Sequence, residues 1–173
     1  MRIAAVLLCA LVCSGAFGQS KPNTQVRQAE EEDLIIKEWH SPVTFEIDGV
    51  WLGSLPTGHQ WNVEDLPSFL CEGVTVQSVA VKKTRPRTGI TRLKFDIEFN
   101  GERSTHDKSI ALEFTLLSGD AKLPLGRSGD FKVKERDTEA TWVYFEEPDD
   151  RLAPYLKDGA NTRIRVSMIV QND

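Results

Sequence analysis

Cysteine is scarce in this sequence: there are three in 173 residues, and Cys9 and Cys13 lie in the apolar N-terminal stretch. If that stretch is removed, Cys71 stands alone and no intramolecular disulfide can form. A lone cysteine in an oxidising compartment is usually buried, so we predict a buried and unreactive Cys71. The apolar neighbours that we expect around it are Leu66, Phe69 and Leu70.

Catalytic motifs are also absent from the sequence. It contains no Gly-x-Ser-x-Gly elbow, no His-Glu-x-x-His, no phosphate-binding glycine loop and no Cys-x-x-Cys pair. Ser104, His106 and Asp107 lie in one short stretch, but neighbours in sequence seldom point the same way, and we interpret them as a solvated turn. These absences favour a non-catalytic protein. They leave open a secreted or periplasmic hydrolase with a dispersed active site.

Positive charge is in the minority: the formal net charge is −5. This balance argues against nucleic acid or an anionic membrane surface as a partner. The three histidines (His40, His59 and His106) have no metal-ligand spacing, so we predict no cofactor and no transition metal. One acidic connection is a weak candidate for calcium, against the alternative of a solvated loop. Its carboxylates are Glu146, Glu147, Asp149 and Asp150.

The N-terminus has the features of a signal peptide. Met1 and Arg2 give a positive start, the run from Ile3 to Cys13 is apolar, and Ala16 and Gly18 are small residues at the −3 and −1 positions. We predict cleavage after Gly18 and export to the periplasm or the extracellular space. The apolar run is shorter than the roughly 20 residues that cross a bilayer, so we predict no membrane span.

Composition divides the rest of the chain into two parts. Residues 19–33 are polar and end in four consecutive acidic residues, which is typical of a disordered tether, with a charged helix as the alternative. We predict that residues 34–173 form a single folded domain. Asp48-Gly49 follows an alternating run and predicts a hairpin from Ser41 to Leu52.

Alternation of apolar and polar residues predicts seven or eight strands in residues 34–173. The clearest runs are 93–99 and 110–116, for which we predict an antiparallel pair, and a slip of one residue near Gln77-Ser78 predicts a β-bulge. Proline and glycine at suitable spacing predict short helical turns after Pro67 and Pro154. The fold prediction is all-β and mainly antiparallel: an immunoglobulin-like β-sandwich with one or two short helical turns. A closed barrel is the alternative.

The stretch from Trp51 to Trp61 is the candidate binding site, because it is irregular and carries large amphipathic rings. We expect Trp51 to close the core, while Trp61, beside His59, is the candidate for an exposed ring that stacks on a sugar or a protein side chain. The alternative is that both rings are structural. The sequence therefore predicts an exported, non-catalytic binding or assembly module with a protein or glycan partner.

Overall fold

The computed structural model describes residues 38–68, 70–157 and 159–172. These residues form eleven strands and two short helices. The predicted signal peptide (1–18) and tether (19–33) lie outside the described residues. The bounds of the elements are β1 Glu38–Trp39, β2 Val43–Asp48, α1 Trp51–Ser54, β3 Gln60–Asn62, β4 Leu70–Cys71, β5 Thr75–Arg87, β6 Ile90–Asn100, β7 Lys108–Ser118, β8 Ala121–Arg127, β9 Phe131–Val133, β10 Thr138–Pro148, α2 Asp149–Leu156 and β11 Thr162–Asn172.

Most of these strands belong to two sheets. The four-stranded sheet has the order β10-β6-β5-β3, and the other has the order β2-β11-β7-β8, with β9 also paired to β7. All of these pairs are antiparallel; β1 and β4 form a separate parallel pair. The all-β, mainly antiparallel sandwich with two short helices is confirmed. Its immunoglobulin-like character stays a prediction, and the described strands do not form the closed barrel of the alternative.

Alternating residues of β6 and β7 meet in the core between the sheets. Leu93, Phe95, Ile97 and Phe99 all point inward from β6 and are buried. The ring of Phe95 lies 4.5 Å, centroid to centroid, from that of Phe114 on β7. Burying a side chain of this kind stabilises the fold by about 1.5–3 kcal/mol. The alternation of apolar and polar residues along these strands therefore corresponds to the two faces of each sheet, one buried in the core and the other exposed.

The sequence predicted one irregularity of β5 correctly. Its pairing with β6 shifts register between Val76 and Ser78, so the β-bulge near Gln77-Ser78 is confirmed. The predicted pairing of runs 93–99 and 110–116 is wrong, because β6 and β7 lie in different sheets. Residues 101–107 carry the chain from one sheet to the other, and the two strands face each other across the core instead of sharing hydrogen bonds.

Three turn predictions need correction or adjustment. Asp48-Gly49 does not close a hairpin: the Asp48 side chain accepts a hydrogen bond from the Val50 N–H at 3.0 Å, and the chain enters α1. The predicted helical turn after Pro67 is absent from the described residues there, which form a tight turn between Cys71 and Val74. The second helix exists as α2, but it begins at Asp149 and contains Pro154 in its interior.

Within the described ranges, none of the helices has the length and apolar character needed to cross a membrane.

Candidate binding face of the four-stranded sheet

One face of the four-stranded sheet points away from the core, and we call it the outer face. Its side chains come from alternate positions of four strands, which the register places in rows: Trp142 lies opposite Asp96, Asp96 opposite Ala80, and Ala80 opposite Asn62. The residues in the four central rows of the outer face are Gln60, Asn62, Ser78, Ala80, Lys82, Thr84, Arg92, Lys94, Asp96, Glu98, Ala140, Trp142, Tyr144 and Glu146.

Two large aromatic side chains stand on the outer face. Trp142 is 55% exposed and Tyr144 is 46% exposed. They are two positions apart on β10, and their rings stack with a centroid distance of 5.9 Å and an interplanar angle of 14°. Stacking on Tyr144 limits the rotamers of Trp142, so a partner that binds this ring loses less side-chain entropy.

Cationic side chains of β6 cover part of the aromatic pair. The guanidinium of Arg92 lies 4.6 Å from the Tyr144 ring centroid, and Lys94 Nζ lies 5.4 Å from that of Trp142. Each cation also has a carboxylate partner, because Arg92 pairs with Glu146 and Lys94 with Asp96. The cations therefore hold the rings in place while their own charge is largely compensated.

An open groove of about 570 Å³ runs across the outer face beside Trp142. Small side chains, Ala80 and Ala140, leave room in it, and Trp142 lines it while Tyr144 does not. The Ser78 hydroxyl donates a hydrogen bond to Glu98 at 3.2 Å. Polar side chains thus line the groove beside the partly exposed indole, which suits a ligand that combines apolar surface with polar groups. The polar residues of the lining are Gln60, Asn62, Ser78, Asp96, Glu98 and Thr141.

The structure brings together two of the three residues singled out in the sequence. Trp51 packs half-buried against the core, and Trp61 stacks on it at 5.6 Å with an interplanar angle of 16°. Trp61 keeps 41% of its surface exposed. His59 is exposed in the turn before β3, where its N–H donates to the carbonyl of Pro56. The hollow beside the two indoles is only about 120 Å³.

The 51–61 stretch is more regular than the sequence predicted. It contains the single turn of α1 and leads into β3, which pairs with β5 through Trp61 and Val81. Proline and glycine break the middle of the stretch but leave both ends free to take regular structure. Sequence reasoning missed Trp142 and Tyr144. The sequence did contain a sign of this pair. Trp142 and Tyr144 are two positions apart in one predicted strand, so both rings had to lie on the same face of it.

The acidic connection does not gather its carboxylates around one point. Arg151 pairs with Glu147, Arg85 with Asp149, and Asp150 accepts a hydrogen bond from the backbone of the next residue. Across the described ranges, no group of three or more His, Cys, Asp or Glu side chains is placed to hold a metal ion. The carboxylates that the sequence singled out for calcium are thus bound mainly to arginines.

Ser104, His106 and Asp107 are engaged by the backbone. The Ser104 hydroxyl donates to the carbonyl oxygen of His106 at 2.6 Å, and Asp107 accepts a hydrogen bond from the Glu135 N–H at 2.9 Å. Nucleophilic catalysis needs a serine hydroxyl that is hydrogen-bonded to a base. The Ser104 hydroxyl is instead bonded to a backbone carbonyl within its own connection.

Cys71 is fully buried, as the sequence predicted. Burial raises the pKa of its thiol to about 11, and the neighbouring Glu72 carboxylate adds to the rise, whereas Lys108 opposes it. Since the thiolate is the reactive form, this environment makes the sulfur unreactive at neutral pH. Leu66 packs against the same core and Leu70 is buried; Phe69 lies outside the described residues.

Comparison with known proteins gives little further information. No family model matches the sequence, and no curated protein matches it significantly. Among solved structures, the crystal structure of an RGD-containing host-selective toxin, Ptr ToxA of Pyrenophora tritici-repentis, is 12% identical and has a TM-score of 0.23. That match covers 78% of this chain and 95% of the toxin. At that TM-score the two backbones share too little for an inference.

Proposed function

We propose that this protein is an exported, non-catalytic binding module that holds a protein or glycan partner on the outer face of its four-stranded sheet. The observation that carries the proposal is Trp142, which is 55% exposed and lines a groove of about 570 Å³. Large, rigid aromatic residues contribute most of the affinity at binding surfaces.

The chemistry of the groove supports binding more than catalysis. A hydrolase needs two titratable groups that are free to act on a substrate within one cleft. Here Asp96 pairs with Lys94, and Glu98 accepts a hydrogen bond from Ser78. The groove is open and lies on a sheet face, so a bound molecule keeps much of its contact with water. These features favour the binding module over the alternative of a dispersed-site hydrolase.

Trp142 is a better candidate for the central contact than Trp61. Each indole stacks on one aromatic neighbour, but Trp142 is 55% exposed and Trp61 41%. The hollow beside Trp61 also has only about one fifth of the groove's volume. Trp61 therefore serves as a matched control, since it is another partly exposed indole on a different surface.

The test is capture of partners from the native exported fraction, with three immobilised proteins compared. We expect wild type and Trp61→Ala to retain the same partner, and Trp142→Ala to lose it. Urea unfolding of each variant establishes that the domain is folded. Loss of the partner with Trp61→Ala and retention with Trp142→Ala would place binding on the Trp51–Trp61 surface and refute the proposal.

Export itself is tested separately, because residues 1–18 lie outside the described part of the chain. Expression with the full leader is expected to give a secreted product that begins near Gln19. The intact mass of the secreted protein is the measurement.

A further inference from the structure

The edge of the four-stranded sheet at β10 has a long and regular backbone that pairs on one side only. β10 pairs with β6 at all eleven positions from Thr138 to Pro148, in one unbroken register. On its other side, no strand in the described ranges pairs with it. Half of its peptide groups therefore point away from the sheet, where they are available to an added strand.

The other edges of the two sheets are shorter or interrupted. β3 has only three residues, and β8 carries Lys122, Pro124 and a bulge. β2 is six residues long, and Glu46 on it binds Arg163 and Arg165. β10 has no lysine, no arginine, no bulge, and no proline before its final position. Its protection is limited to two inward-facing carboxylates, Glu139 and Glu147, of which Glu147 is paired with Arg151.

The burial of β10 is also incomplete. Its inward-facing residues Thr141, Val143 and Phe145 are only half-buried, whereas the equivalent positions of β6 are buried. A further strand beside β10 covers the exposed part of Val143 and Phe145. The gain in apolar burial adds to the main-chain hydrogen bonds as a driving force for strand addition.

Charge selects the kind of strand that fits. The charged residues of β10 are all acidic: Glu139, Glu146 and Glu147. Glu146 and Glu147 have arginine partners, whereas Glu139 forms no ion pair with any described residue. Opposite charges across a strand pair are favourable and like charges are not. A second copy brings another acidic strand from a chain whose formal net charge is −5, so a basic segment is the better complement.

We propose that β10 accepts an extended segment of a partner protein, with a basic side chain opposite Glu139, as a fifth strand of this sheet. The inference rests on the proposed binding function. It adds how the partner binds, by strand addition, and that the partner is a protein. Alternate side chains of the added strand lie on the outer face, next to Trp142 and Tyr144. The peptide backbone supplies affinity, and a basic side chain opposite Glu139, which lies on the inner face of the sheet, supplies specificity.

Amide hydrogen exchange of β10 tests this mode directly. The probe is a synthetic peptide of about twelve residues that carries valine at its inward-facing positions, except for one lysine opposite Glu139, and threonine at its outward-facing positions. Its control has glutamate in place of that lysine. In the free protein we expect every second amide of β10 to exchange fast. Addition of the lysine peptide is expected to slow these amides at least tenfold, while the glutamate peptide leaves them unchanged.

Glu139→Lys is the variant that tests the charge selection, and Glu113→Lys on β7 of the other sheet is its matched control. We expect Glu139→Lys to raise the Kd of the lysine peptide about threefold or more, and Glu113→Lys to leave it unchanged. Three outcomes overturn the inference: no slowing of the β10 amides by the lysine peptide, equal slowing by both peptides, or slowing that rises with protein concentration alone. The last would identify a second copy as the occupant.

The two proposals can fail separately. If the lysine peptide protects β10 but Trp142→Ala still captures the native partner, strand addition stands and the role of Trp142 fails. If Trp142→Ala loses the partner and the peptide leaves β10 unprotected, the binding function stands and strand addition fails.

Discussion

Gly73 and Gly89 allow steric crowding to be separated from backbone strain. Both have a positive φ, +84° and +77°. A Cβ at residue 73 would lie 2.6 Å from Ser104 Cα and 2.7 Å from the carbonyl oxygen of Arg103, whereas one at residue 89 would meet nothing within 4 Å. Replacement by alanine therefore introduces the same strain at both sites but a backbone collision only at residue 73.

The two costs can be worked out in turn. A non-glycine residue in the left-handed region costs roughly 1–2 kcal/mol, and the loss of unfolded-chain entropy on replacing glycine by alanine returns about 0.4–1 kcal/mol. Gly89→Ala is thus expected to lower the free energy of unfolding by about 1 kcal/mol. At Gly73 the colliding atoms belong to the backbone, so relief requires a shift of the 101–107 connection. Overpacking of this kind adds about 1–3 kcal/mol, so Gly73→Ala is expected to cost about 2–4 kcal/mol in total.

Urea unfolding followed by tryptophan fluorescence measures both variants. The m-value should stay at that of wild type, so that the midpoints report stability alone. We expect the Gly73→Ala midpoint to lie clearly below that of Gly89→Ala, and both proteins to remain folded in the absence of urea. If the two variants lose the same free energy of unfolding within about 0.5 kcal/mol, then Gly73 does not pack closely against the backbone of the 101–107 connection, and the reasoning is refuted.

Three further predictions concern the thiol, the core and metal ions. Because burial raises the folded-state pKa of Cys71 from 9.0 to about 11, the unfolded chain loses this proton first, and stability should fall as the pH rises from about 9 to about 11. Labelling by a thiol reagent at pH 8 should require denaturant, and rapid labelling of the native protein would contradict this. Phe95→Ala should lower the free energy of unfolding by about 3–5 kcal/mol, since its ring packs on Phe114 and Phe145; a loss below about 1 kcal/mol in urea unfolding would show that these rings do not form the centre of the core. A chelator should change the Tm by less than about 5 °C, and a larger fall would show that the acidic connection binds a metal.

Alternation in the sequence was sufficient to identify strands but not their partners. The run 93–99 lies in the strand β6, and its odd-numbered residues, which are apolar, are buried. The same alternation in β7 indicates that one face of this strand is buried, but it does not indicate which strand lies beside it. Whether two such strands share hydrogen bonds or face each other across a core depends on the connection between them, and residues 101–107 have no local signature of a crossover.

The candidate site was less predictable than the fold for a related reason. Trp61 and Trp142 both lie on strands, and their sequence contexts gave no measure of exposure. Trp61 stands in a stretch rich in turn residues and therefore drew attention, whereas Trp142 stands in an apolar run that is typical of a buried strand. Its exposure follows from its place on the outer face and from the position of β10 at the edge of the sheet, which only the tertiary arrangement determines.

The pairing of β2 with β11 constrains how the chain can acquire its structure. Arg163 and Glu46, which bind each other across these strands, are 117 positions apart in sequence. Closing so long a loop costs entropy before any contact is gained, and domains dominated by such pairings fold in milliseconds to seconds. Among the described strands β2 pairs only with β11, so during synthesis its buried residues stay accessible to chaperones until the whole stretch between these two strands has been made.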